Sequence, residues 1–142
     1  EPQSVYPALL EKQLQAVSDH EIIVVNAGIT GETSKGANER VEWILQQRFD
    51  AILLALGTND VGQRQVLQAR CELVEKIRRT NPAALIIGTD TRTAEPRSFM
   101  PQKIAQELDV QLVRLPLAET LSATSPPALA LTLFQHLAPQ LP

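Results

Sequence analysis

Apolar positions along the chain switch between two spacings, and the switches mark out the elements. In residues 6–17, Leu10, Leu14 and Val17, with Leu9 alongside, follow the i, i+4, i+7 spacing of a helix packed on one face. Residues 21–26 (EIIVVN) form a short β-branched run ending in a glycine-containing turn, which predicts a strand buried on both faces, as in a parallel sheet. Residues 33–47 return to helical spacing, with Thr33 or Ser34 as cap and Val41, Ile44 and Leu45 as the inner stripe. A second buried strand is predicted over residues 51–56 (AILLAL). Asp60 then caps a long helix to about Thr80, with Val66, Leu67, Cys71, Val74 and Ile77 inside, and Asn81-Pro82 stops it. Residues 83–88 (AALIIG) predict a third strand, 89–96 a polar loop, and 101–108 a short helix. Residues 110–115 (VQLVRL) alternate apolar and polar, as a half-exposed edge strand does. Pro126 and Pro127 open a last helix carrying Leu129, Leu133, Phe134 and Leu137.

Strands alternating with helices across crossovers of this length predict a parallel sheet covered by helices on both faces. In such sheets ligands bind outside the carboxyl ends of the strands, so the loops after Asn26, Leu56 and Gly88 are the ones to examine. The length of 142 residues suits a single domain spanning 1–142, and no internal repeat or low-complexity segment divides it. With 44% hydrophobic and 20% charged residues, the composition is that of an ordinary globular chain. The formal net charge of -3, without any Lys/Arg run, gives no electrostatic support for a nucleic-acid or anionic-membrane partner. The longest apolar runs are too short to cross a bilayer. A single cysteine, Cys71, excludes an intrachain disulfide and a multi-cysteine zinc site. No metal or cofactor motif is present. No signal peptide is visible and the first residue is Glu1, so trimming or processing is expected, and cytoplasmic and periplasmic or secreted locations both fit.

The loop NAGITGETS (26–34) places Gly28 and Gly31 between a strand and a helix start, where backbone N–H groups turn outward and negative charge is favoured. It lacks the third glycine of a dinucleotide fingerprint and the Gly-Lys-Ser/Thr of a phosphate loop. Taken alone, a capped strand–turn–helix connection accounts for it. The second loop is Gly57-Thr58-Asn59-Asp60. An Asn there is able to donate its N–H2 to a developing oxyanion, although a turn Asn satisfying its own backbone is the simpler reading in isolation.

Together, NAGITGETS and GTND closely resemble the SGNH hydrolase superfamily, the GDSL esterases and lipases, and the preceding VYPALL (5–10) is similar to the thioesterase/lysophospholipase branch. The resemblance runs from about Val5 to Ile87 and more weakly through 108–115. It implies a three-layer, flavodoxin-like α/β fold with a parallel sheet, no cofactor, and a small-molecule ester or acyl ligand. By position it makes Gly31 and Asn59 oxyanion-hole donors, the third donor being the N–H of the nucleophilic serine. Asn26, Gly28, Gly57, Thr58 and Asp60 then support the two loops.

The pattern breaks at both ends. No Gly-Asp-Ser occurs, and Ser4 falls in the tail of the nucleophile loop rather than at the serine. The Asp-x-x-His-Pro block that should supply base and orienter is matched only by SATSP (122–126), with Ser122 and Ser125 where Asp and His belong. His20 precedes a strand at the amino end of the sheet, and His136 lies about three turns past the expected place; both read as surface histidines. The segment between Gly88 and Leu108 is also short for the family. In the family the strand leading to the serine lies between those matching 21–26 and 51–56. The sheet is therefore expected to lack its first strand, and those two segments to pair directly or accept a strand from elsewhere. An open gap would leave backbone groups unpaired.

The expected function is an ester or thioester hydrolase domain, inactive or incomplete as this chain stands. The alternative is a non-catalytic small-ligand-binding or interaction module on the same fold. Substrate and oligomeric state are not legible in the residues.

Overall fold

The computed structural model describes residues 6–29, 31–56, 60, 65–90, 99–114 and 133–141. Helix α1 (Tyr6–Val17) buries Leu10 and Leu14 and leaves Val17 exposed. Helix α2 (Ser34–Ile44) starts where Thr33 stands in extended conformation and its Oγ1 accepts from Gly36 N at 3.1 Å. Strand β1 (Ala51–Leu54) leads through the 55–65 region to α3 (Val66–Thr80), strand β2 (Leu85–Asp90), α4 (Gln102–Glu107) and strand β3 (Val110–Arg114). Asn81 stops α3 as the sequence indicates, and its side-chain oxygen also accepts from Phe49 N at 2.7 Å, fixing the entry to β1.

The three strands form one parallel sheet in the order β1-β2-β3, with Ala51 opposite Leu85 and Ile86 opposite Val110. One face packs on α2, α3 and α4 through Leu54, Ile86 and Val110, which meet Val41, Leu45, Leu73, Val74, Ile77 and Ala105. The opposite face, through Leu53, packs on Leu10 and Leu14 of α1 and on Leu133 of the helical residues 133–137. Helices on both faces of a parallel sheet are the three-layer arrangement expected, because strands without a polar face must be covered twice.

Residues 21–26 depart from expectation. They form no strand and pair with none among the described residues, where β1 is an edge of the sheet. Two of their backbone N–H groups are taken by α1 side chains instead: Ile22 N donates to Gln15 Oε1 at 2.7 Å and Val24 N to Glu11 Oε2 at 2.6 Å. Ile22 reaches the α1 cluster, whereas Ile23 and Val25 are 71% and 55% exposed. Neither direct pairing with β1 nor a double-sided burial occurs, so the four expected strands are three among the described residues. A β-branched pattern states a demand for burial, but a strand forms only where a neighbouring backbone supplies the ladder.

Helix α3 also begins later than its pattern suggests. It starts at Val66 rather than at Asp60, behind Gln65 in left-handed conformation (φ 58°), and no side chain caps it. Leu67, expected inside, is exposed; Arg70 and Leu73 take the buried positions.

Candidate active site

The loop from Asn26 to Thr33 is shaped by three local devices. Asn26 Oδ1 accepts from Gly28 N at 3.1 Å, satisfying its own turn. A second turn closes from Glu32 N to Ile29 O at 3.2 Å, with Gly31 at φ 81°, a conformation that favours glycine. Arg40, one helical face along α2, then grips the loop from behind: it pairs with both Glu32 carboxylate oxygens and donates to Ala27 O at 2.6 Å. The hydrogen bond to Glu32 raises Arg40 above the ordinary guanidinium value, against the opposing effect of burial. Gly31 itself is exposed, and nothing lies within 4 Å of the place a Cβ would occupy.

Asp60 does not cap α3 as expected. Its carboxylate instead sits at the start of α2, where Oδ1 accepts from Ser34 N at 2.7 Å and Oδ2 from Ser34 Oγ at 2.5 Å. The reason is electrostatic: the first N–H groups of α2 lack intrahelical acceptors and carry the positive end of the helix dipole. Arg70 completes the cluster, with Nη2 2.7 Å from Asp60 Oδ2 and Nε 3.0 Å from Ser34 Oγ. Burial alone would raise the Asp60 carboxyl, but the Ser34 and Arg70 hydrogen bonds outweigh it and hold it below the ordinary value. Ser34, Asp60 and Arg70 are all buried. Ser34 is therefore a structural hydroxyl, without access to a substrate.

Gly57, Thr58 and Asn59, Ser4, and Ser122 and Ser125 lie outside the described residues. The two histidines lie away from the loops. His20 is exposed ahead of residues 21–26, and the His136 ring is 2.7 Å from Gln111 Oε1, near the amino end of β3. Burial, with Glu75 and Glu72 nearby, pushes the Cys71 thiol up, which disfavours its thiolate. Among the described residues no group of His, Cys, Asp or Glu is arranged to hold a metal ion. A cavity of roughly 600 Å³ lies at the far end of α3, lined by Glu75, Arg79 and Glu107 among others. Arg78 there is engaged by the carbonyls of Pro82, Ala84 and Asp109. That cavity borders the amino end of the sheet, opposite the loops that follow the strands.

The sequence pattern points to Asp60 but assigns it to the wrong helix, and it does not mark Arg70. A signal for Arg70 existed: it stands four residues after Val66 and four before Val74, on the inner stripe of α3. A lone arginine at such spacing announces a buried partner.

Among the described residues, no helix is long and apolar enough to cross a membrane. No curated protein matches the chain. The model of the GDSL-like Lipase/Acylhydrolase family matches residues 1–128. That match spans both loops and all three strands, and with the parallel three-layer fold it places the chain in the GDSL-like lipase/acylhydrolase family of SGNH hydrolases.

Proposed function

We infer that this chain carries the carbonyl-holding half of an ester or thioester hydrolase site, with the Gly31 backbone N–H and the Asn59 side-chain N–H2 as donors. One observation carries the reading: Asp60, the residue after Asn59, is bonded at 2.7 Å to Ser34 N, three residues beyond Gly31. This bond holds the end of the Gly31 loop against the residue that follows Asn59, which supports a shared role for the two loops. Donors held in advance act where charge develops on a carbonyl oxygen, and removal of one typically costs about 100- to 1,000-fold in rate.

Turnover needs a nucleophile and a base as well. With neither Gly-Asp-Ser nor Asp-x-x-His in its sequence, the 142-residue chain is expected to bind short acyl ligands without hydrolysing them. The test is p-nitrophenyl acetate and acyl-CoA hydrolysis by the purified protein. Background rates, with butyrate binding by calorimetry that Asn59→Ala weakens, are the expected result. Hydrolysis abolished by Asn59→Ala would overturn the inactive reading, and butyrate binding indifferent to Asn59 would overturn the donor assignment.

A further inference from the structure

Arg70 occupies a helix position where burial calls for an apolar side chain, and its guanidinium reaches three separate segments. Besides Asp60 and Ser34, Nη1 donates to Phe99 O at 2.5 Å, and the guanidinium lies 5.2 Å from the centroid of the Phe99 ring. Those partners border, in sequence, the loops that follow the strands. Ser34 ends the loop that contains Gly31, Asp60 directly follows Asn59, and Phe99 lies beyond the segment leaving β2. Phe99 is fixed in turn, being buried against Gly88, where a Cβ would come within 2.4 Å of its ring. A planar fork of five donors holds three acceptors in a set geometry, which a compact ammonium does not reproduce. Buried ion pairs add little net stability over apolar replacements, so the value of this one lies in the geometry it fixes.

We propose that Arg70 is a positioning residue of the candidate site: by holding Ser34, Asp60 and Phe99 on one guanidinium, it fixes the end of the Gly31 loop against the residue that follows Asn59. The proposal rests on the reading that those two residues hold a carbonyl oxygen. Arg70 is buried and acts only through its partners. The depressed Asp60 carboxyl agrees with a carboxylate kept ionised at neutral pH by this arrangement.

The test is nuclear magnetic resonance on the 142-residue protein, with Arg70→Met and Arg70→Lys. The reporters are the Gly31 backbone amide and the Asn59 side-chain amide, with the Leu14 amide on α1 as the distant control. Arg70→Met is expected to displace both site signals and leave Leu14 in place, and to weaken butyrate binding about tenfold. Arg70→Lys, which keeps the charge but not the fork, should fall between. A role in stability alone would lower the unfolding midpoint and leave both site signals of the folded protein at their wild-type positions; that result overturns the proposal. Should Arg70→Met fail to fold, Ser34→Ala removes the hydroxyl links while keeping the Ser34 N to Asp60 bond. It is expected to move both signals less far, and no movement overturns the proposal. If wild-type protein does not bind butyrate, the carbonyl-holding reading fails, while the signal positions still decide the role of Arg70.

Discussion

Two stretches of similar composition, EIIVVN at 21–26 and ALIIG at 84–88, end in opposite states. In the second, Ile86 and Ile87 are buried in the central strand, with backbone partners on β1 and β3. In the first, Ile23 and Val25 face outward and the described backbone bonds run to side chains of α1. The difference is not hydrophobicity. It is the presence of neighbouring strands on both edges, which pay the hydrogen-bonding cost that burial imposes. Function follows the same division. The loop bearing Gly31 follows this stretch, and among the described residues it is held from the far side, through Arg40 and the Ser34–Asp60–Arg70 cluster.

The largest effect should come from breaking that cluster. Arg70→Met leaves the buried Asp60 carboxylate without its cation, held by Ser34 alone, and is expected to cost about 3–5 kcal/mol in urea unfolding. Next is Gly88→Ala, whose Cβ would enter the Phe99 ring; with Phe99 only 1% exposed, the loss should be about 1–3 kcal/mol. Acid should weaken the same cluster in wild type. The folded Asp60 carboxyl lies below its ordinary value of 3.8, so its contribution is complete above that pH and is lost as pH falls through the lower folded value. Urea midpoints of wild type and Asp60→Asn should therefore draw closer as the pH is lowered past 3.8.

The unpaired stretch should respond far less. Glu11→Ala removes the acceptor of Val24 N and is expected to cost about 1 kcal/mol, since water replaces part of the bond. Ile23→Ser, at an exposed position, should stay within about 0.5 kcal/mol of wild type. A loss as large as that of a buried isoleucine, about 2–5 kcal/mol on truncation, would mean that this stretch is covered in solution.

Much of this was legible in the residues. The spacing of Leu10 and Leu14, the Thr33 cap, the Asn81-Pro82 stop and the edge character of β3 all follow from local rules, and the paired loops NAGITGETS and GTND carry the family. What escaped was non-local. No pattern within residues 21–26 says whether a strand lies beside them. Asp60 beside a helix looks like a cap of the helix that follows it, yet its charge serves the earlier helix, which folding brings within 2.7 Å. Arg70 was passed over because a periodicity count registers apolar positions and ignores a charge on the same stripe.

The contrast between the clamped loops and the unpaired stretch is open to one direct measurement, residue-resolved hydrogen exchange on the 142-residue protein. Ser34 N–H, buried and bonded to Asp60, should exchange only through openings as costly as those that release Ile86. Ile23 and Val25 should exchange at rates near those of an unstructured chain. Protection of Val25 equal to that of Ile86, or rapid exchange at Ser34, would contradict the assignment of the site's rigidity to the Arg70 side.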